Sequence, residues 1–192
     1  MSNIKTANTQ FPVLDLIKKR WSPRSFSDKA IAEKDLLTIL EAGSWAPSAN
    51  NTQPWRHVYA FRGTEGFDKL WSTLAPGNQP WTRQAAVLVV SIGIKELPDT
   101  NQKNHYYLHD AGMFNSFMLL QAHSMGISGH LMAGFDKAKL AELLGLPATD
   151  ETVSVIALGY PDAADKLQEP YKTREITPRT RKALEEFTYQ LN

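Results

Sequence analysis

The chain contains no cysteine in its 192 residues. Disulfides, thiolate metal sites and cysteine nucleophiles are thereby excluded together, and a reducing compartment is the natural setting. Net charge is almost missing as well: 21 Lys and Arg stand against 20 Asp and Glu, a formal +1. Binding nucleic acid through a broad basic face requires many neutralised phosphates, so this balance argues against that class while leaving room for a local arginine cluster. No uncharged apolar run reaches the length of a membrane span, and the opening residues "MSNIKTANTQFPVLDLIKKR" lack the apolar centre of a signal peptide. Internal repeats and low-complexity tracts are absent. So are the G-x-x-x-x-G-K-[ST] and G-x-G-x-x-G loops that cradle phosphates and the G-x-S-x-G elbow of serine hydrolases. With 42% hydrophobic and 21% charged residues, the expectation is a cytoplasmic protein with no membrane or nucleic-acid partner, folded as one domain over residues 1–192.

Hydrophobic periodicity organises what is present. "FPVLDLIKKRWS" reads as a short helix with basic residues at its end, and "AIAEKDLLTILEAGSWA" as a second, with Leu36, Leu37, Ile39 and Leu40 at helical spacing and Gly43 near its stop. "RHVYAFRG" reads as a strand, "TEGFDKLWSTLA" as a helix and "APGNQPWTR" as a loop. The unbroken β-branched run "AAVLVVSIGI" predicts a strand buried on both faces, and "TVSVIALGYP" another. "NHYYLHDAGMFNSFMLLQAHSMG" is the longest helix, apolar almost all round, so it is either central or partly covered by a second subunit. "ISGHLMAGF" is extended, and "DKAKLAELLG" is a helix with Asp136 as N-cap and Gly145 as terminator. The tail "YKTREITPRTRKALEEFTYQLN" is basic, then amphipathic. Strands interleaved with helices indicate an α+β or α/β sheet covered by helices.

Three stretches carry hydrogen-bonding chemistry. In "KKRWSPRSF", Lys18, Lys19, Arg20 and Arg24 bracket Ser22, and a guanidinium fork with a short hydroxyl suits a phosphate. A solvated basic helix end is the plainer explanation. In "PSANNTQPW", Ser48, Asn50, Asn51, Thr52 and Gln53 supply donors and acceptors between stiffening prolines; they could read a heteroaromatic edge or simply close an Asx-type turn. In "PRTRKALEEF", Arg179, Arg181 and Lys182 are either a third cationic group or an exposed tail. His105 and His109 stand four apart on the long helix, a spacing that can hold a metal, but no third ligand is evident, so no metal site is expected. Sequence-local acid–base motifs are absent, which suits a protein whose chemistry belongs to a bound cofactor.

The order of these pieces is more specific than any one of them. The chain resembles the FMN-dependent nitroreductase family, close to its small members, over nearly its whole length. The likeness rests on "KRWSPRSF", "AGSWAPSANNTQPWRHV", "DAGMFNSFMLLQAHSMGI", "GHLMAGFD" and "RTRKALEEF". It implies an α+β fold with a central mixed sheet flanked by helices, forming an intertwined homodimer with FMN at the interface. Carried over by position, Arg20, Ser22 and Arg24 would hold the phosphate and ribityl chain, with Trp21 contributing backbone. Pro47, Ser48, Ala49, Asn51 and Gln53 would pack on the flavin from the partner subunit, and Arg179 and Arg181 would return to the phosphate.

A backbone N–H of Gly129 or His130 would meet the flavin's hydride-accepting edge, with His130 a further option as proton donor and no other catalytic side chain. The implied activity is reduction of nitroaromatic, quinone or related electron-poor acceptors by NADH or NADPH in a ping-pong hydride transfer. Two other readings stay open: a flavin-dependent dehydrogenase or flavin-modifying enzyme of the same fold, and a non-redox dimer binding an anionic partner. The chain departs from the family in having little room for an excursion over the substrate pocket, and in reading Gln84, Ala85 where a proline often precedes the buried strand.

Overall fold

The computed structural model describes residues 3–97, 100 and 102–191. Its helices are α1 (Asp15–Lys19), α2 (Glu33–Ser44), α3 (Glu65–Trp71), α4 (Gln79–Thr82), α5 (Tyr107–Ser124), α6 (Lys137–Leu144) and α7 (Tyr171–Ile176). Its strands are β1 (Trp55–Phe61), β2 (Val87–Ile94), β3 (Ser128–Met132) and β4 (Asp150–Gly159). They form one sheet in the order β1-β2-β4-β3.

Every pairing in that sheet is antiparallel, which corrects the expected mixed sheet for the described residues. The cause is topological. Helix α5 carries the chain from the end of β2 back to the start of β3, so those two strands run the same way, as any strand–helix–strand crossover demands. They would pair in parallel as neighbours, but β4 lies between them and runs against both.

β2 is buried along all but its last residue, as its unbroken apolar run predicts. Val87 and Val89 face α2 and α5 through Leu36, Ile39, Phe114, Met118 and Leu119. Leu88 and Val90 face the opposite layer, with Phe67, Leu70, Trp81 and Leu140. Caps follow the sequence closely at α6: Asp136 accepts from Lys139 N at 3.0 Å, and Gly145 ends the helix with φ +59°. At α3, Thr64 caps by accepting from Phe67 N.

One local expectation changes. The loop "APGNQPWTR" contains the four-residue α4. So short a turn has no periodicity to read, and its proline falls in the first turn, where a missing N–H costs nothing. Gly43 stands one residue before the end of α2, as its place near the stop signal suggests. Its role is packing: a Cβ there would stand 2.4 Å from the Phe114 ring, which also stacks on His57 at 4.0 Å and tilts against Trp55 at 5.3 Å.

The long helix leaves Leu108 and Phe117 exposed, and Ile17 of α1 and the preceding Leu14 are exposed too. Among the described residues no helix is long and apolar enough to cross a membrane.

Replacing Gly43 with Ala forces the Phe114 ring to move. Overpacking of about 1–3 kcal/mol outweighs the roughly 1 kcal/mol returned by helix propensity. The expected result is a melting temperature lowered by about 2–6 °C. The loss should shrink in a Phe114→Leu background, as a double-mutant cycle by calorimetry would show.

Candidate functional site: a guanidinium cluster and a strained loop

The chain leaves α1 through Arg20, whose backbone N–H closes the helix on Leu16 O. The helix's last carbonyls are taken from outside. Arg179, from the tail, donates Nη1 to Arg20 O at 2.6 Å and Nη2 to Lys18 O at 2.5 Å. A cation at a helix C-terminus is favoured by the macrodipole, and this one brings the tail against the helix end.

Arg20, Arg179 and Arg181 consequently face one another. Burial first, then the charge of Arg181, depresses the Arg20 pKa; burial, then Arg20 and Arg181, does the same at Arg179. His123, near the end of α5, is pushed down by burial and by Arg20, Lys19 and Arg179. Every charge acting on Arg20, Arg179 and His123 is positive, and the Arg179 Nε is buried without a partner. Guanidinium groups keep their protons in proteins, so the arrangement has the charge and donors that suit an anion. Arg181 is exposed and donates to the neighbouring Thr180 O at 2.7 Å.

Arg24 does not join this cluster. Its side chain lies over Trp81, 5.8 Å from the ring. Its N–H donates to both oxygens of Glu175, at 2.9 and 3.1 Å, and Ser25 N adds a third bond at 2.9 Å. Between the two arginines, Trp21 packs under the Lys5 ammonium at 4.8 Å and Ser22 is half-buried.

The segment runs beside β3, where His130 Nδ1 donates to Pro23 O at 3.1 Å. Burial, reinforced by Arg24, pushes the His130 pKa down to about 4. The imidazole is neutral at pH 7, and its one N–H is committed to Pro23. Nε2 is then an acceptor with no proton to give, against the proton-donor option.

The backbone of β3 separates Gly129 from His130. Leu158 accepts from Ala86 N at 2.8 Å, so its carbonyl points toward β2. Successive strand residues point their N–H and C=O to alternate sides. The Gly129–Leu158 pair is therefore of the non-hydrogen-bonded kind, and the Gly129 N–H faces the open edge of the sheet. His130, opposite Ala157, turns its own N–H toward β4. A side chain at 129 would meet Leu119 at 2.2 Å, so only glycine fits beneath α5. Past the strand end, Gly134 O accepts from Ala75 N at 3.0 Å and Asn78 Nδ2 at 2.9 Å, which ties this edge to α4.

The loop of residues 47–53 is strained. Asn50, Asn51 and Gln53 have φ of 51°, 55° and 48°, a region that costs non-glycine residues about 1–2 kcal/mol each. Part of its polar content closes the turn, as the Asx-type reading has it. Ser48 Oγ accepts from Gln53 N at 3.0 Å, and Gln53 Nε2 donates to Asn51 O at 3.2 Å. The Asn50 and Asn51 side chains stay exposed beside Pro47.

What holds this shape is Asp110, only 1% exposed. One of its oxygens accepts from Ala49 N at 3.0 Å, while the other accepts from His109 Nδ1 at 2.9 Å. Asp110 opens α5 and His123 closes it, so about 20 Å of helix separates loop from cluster at 1.5 Å per residue. Within one chain the two halves of the candidate site are not brought together.

Sequence reasoning missed Asp110, Glu175, Trp81 and Asn78 as supporting residues. Their bonds reach 61 positions from Asp110 and 151 from Glu175, and no local pattern announces such a partner. No group of three or more metal-ligating side chains converges among the described residues.

The nitroreductase family model matches residues 17–75 and 62–160, and the chain belongs to that family. It is 31% identical over 155 residues to an Archaeoglobus fulgidus protein provisionally named NADH dehydrogenase/NAD(P)H nitroreductase, covering 77% of this chain and 84% of that one. It is 25% identical to a 4-nitrobenzoate reductase of a Nocardioides species, over 85% and 86% of the two. A solved FMN-containing oxidoreductase superposes with TM-score 0.92 at 32% identity, covering 99% of this chain and 97% of that chain. A provisionally named nitroreductase of Desulfovibrio desulfuricans, solved in complex with FMN, gives TM-score 0.73 at 26% identity, over 96% and 99%.

His130 and the buried His57 both have pKa values pushed down to about 4, chiefly by burial. An unfolded chain protonates each near pH 6.5. Between about pH 4 and 6.5 the unfolded state binds more protons, so stability rises with pH through that window and is flat above it. Each histidine accounts for roughly 3 kcal/mol at most. Urea unfolding at pH 7 and 4.5 should show the loss, and His130→Asn should remove about half of the histidine share.

Proposed function

We propose that this chain is an FMN-dependent oxidoreductase that draws electrons from NADH or NADPH and reduces nitroaromatic, quinone or related electron-poor acceptors. The carrying observation is the cluster of Arg20, Arg179 and Arg181 at the end of α1, where the charges acting on Arg20 and Arg179 are those of other arginines. A phosphate monoester fits that donor set, and the unpartnered Arg179 Nε offers it a further N–H. Bound FMN would supply the redox chemistry, taking up the nicotinamide's hydride and returning two electrons to the acceptor, which agrees with what the relatives are named for.

The protein's own part is binding and orientation. Arg20 and Arg181 hold the phosphate, with Arg179 fixed beside them, and Trp21, Ser22 and Arg24 line the path toward the ring. Gly129 offers the N–H at the open edge of β3, and residues 129–134 border the ring there. Donors aimed at the flavin's pyrimidine end stabilise negative charge arriving on it.

The remaining contacts come from a second copy. Pro47, Ser48, Ala49, Asn51 and Gln53 lie too far from Arg20 in their own chain, so a homodimer pairing α5 with α5 supplies them to the partner's phosphate cluster. Exposed Leu108 and Phe117 on α5, with Leu14, Ile17 and Trp45, form the apolar surface such a dimer covers. The reading takes residues 1–192 as one FMN-binding domain acting in the cytoplasm.

Purified protein is expected to be yellow, with flavin bands that bleach when NADH or NADPH is added without oxygen; a colourless protein that takes up no FMN overturns the proposal. Arg20→Ala should weaken FMN binding about 10–100-fold, measured by fluorescence titration. Refolding Arg20→Ala and Asn51→Ala chains together tests the shared site, because mixed dimers keep one intact site and roughly a quarter of all sites should bind FMN normally.

A further inference from the structure

The stretch from Lys18 to Ser25 carries Arg20 of the proposed phosphate cluster, with Trp21, Ser22 and Arg24 following it, yet it has almost no secondary structure of its own beyond the end of α1. Besides the His130 bond to Pro23 O, two charged side chains from one distant segment bond its backbone. Glu175, in α7 and only 5% exposed, accepts the Arg24 and Ser25 N–H groups at 2.9–3.1 Å. Arg179, four residues later, donates to the Lys18 and Arg20 carbonyls. A carboxylate takes N–H groups and a guanidinium takes C=O groups, each matched in sign to the backbone dipoles it meets.

Lys5 fastens the segment that does this. Its ammonium donates to Arg174 O at 2.9 Å and Thr177 O at 2.5 Å, the last carbonyls around α7, while sitting over the Trp21 ring. The buried Glu175 also lies in the field of Lys5 and Arg24, so its negative charge offsets cations that would otherwise repel one another.

We infer that Glu175 is a positioning residue for the flavin phosphate: by clamping the Arg24–Ser25 backbone opposite the Arg179 clamp on α1, it sets the shape of the anion-binding segment without touching the ligand. This rests on the flavin reading above. The inference separates phosphate recognition from ring recognition, because the clamp acts on the segment that carries Arg20 and Ser22 and leaves the 47–53 loop alone.

The Glu175→Gln variant tests it with full-length protein and two probes, FMN and riboflavin, which differ by the phosphate. A glutamine can accept one backbone N–H, but it points its own NH2 at another and removes the charge. FMN affinity should fall roughly tenfold while riboflavin affinity stays within about twofold. In the flavin-free protein the Arg24 and Ser25 amides should exchange with deuterium at least about tenfold faster, with the sheet amides unchanged. Glu175→Asp keeps the charge but falls a methylene short, and should show the same preference change in smaller degree; it serves if the glutamine variant does not fold. Equal losses for both flavins, or an unchanged ratio with unchanged amide exchange, overturn the inference alone. A wild type that binds neither flavin overturns the flavin reading and this inference with it.

Discussion

The packing of α5 across the sheet is the constraint from which the rest of the architecture follows. Phe114 occupies the notch left by Gly43 on α2 and stacks on His57 of β1, while Leu119 covers Gly129 of β3. Two absent side chains let one helix lie close to a helix on one side and to an edge strand on the other. That fixes the helix in rotation and along its axis, since interiors are packed too tightly to tolerate another register. The positions of Asp110 at one end and His123 at the other are then settled. So are the strained loop that hangs from the first and the guanidinium cluster that gathers at the second.

Much of the site's electrostatics is unfavourable to the chain by itself. Arg20, Arg179 and Arg181 raise one another's energy, and Asn50, Asn51 and Gln53 sit in a costly region of backbone space. Strain and unpaired charge of this kind persist when the surrounding fold over-determines them, and they concentrate where a ligand will be bound. The supports are visible: Asp110 under the loop, Glu175 and Arg179 on either side of the phosphate segment. Each is a charged group meeting backbone dipoles, the kind of bond that is strong when little water competes.

The separation of the two half-sites along α5 has a functional consequence. On the proposed reading, a monomer can offer the phosphate anchor or the ring-bordering loop at one place, but not both. In the proposed homodimer, symmetric association would convert this into two complete sites, and burial of the apolar residues left uncovered on α1 and α5 would drive it. On that proposal binding and assembly would be linked, because a ligand seated between subunits stabilises a dimer by mass action.

The sequence by itself determined the local elements and the chemistry available. The apolar run of β2, the helical spacing of α2 and α5, and the caps of α6 are short-range signals, since they depend on residues a few positions apart. The arginine–serine stretch, the amide loop and the family likeness were legible for the same reason. Tertiary structure alone decided that β4 enters between β2 and β3 and makes the sheet antiparallel. It alone gave Gly43 a packing role inside its helix, turned the Gly129 N–H to the open edge and committed the His130 proton to Pro23. It also enlisted Asp110 and Glu175, whose partners lie far along the chain, and it parted the two motifs by the length of a helix. Sequence spacing encodes which groups exist and which local shape they favour; the distances between remote groups arise only when the core packs, because they are sums over every element between them.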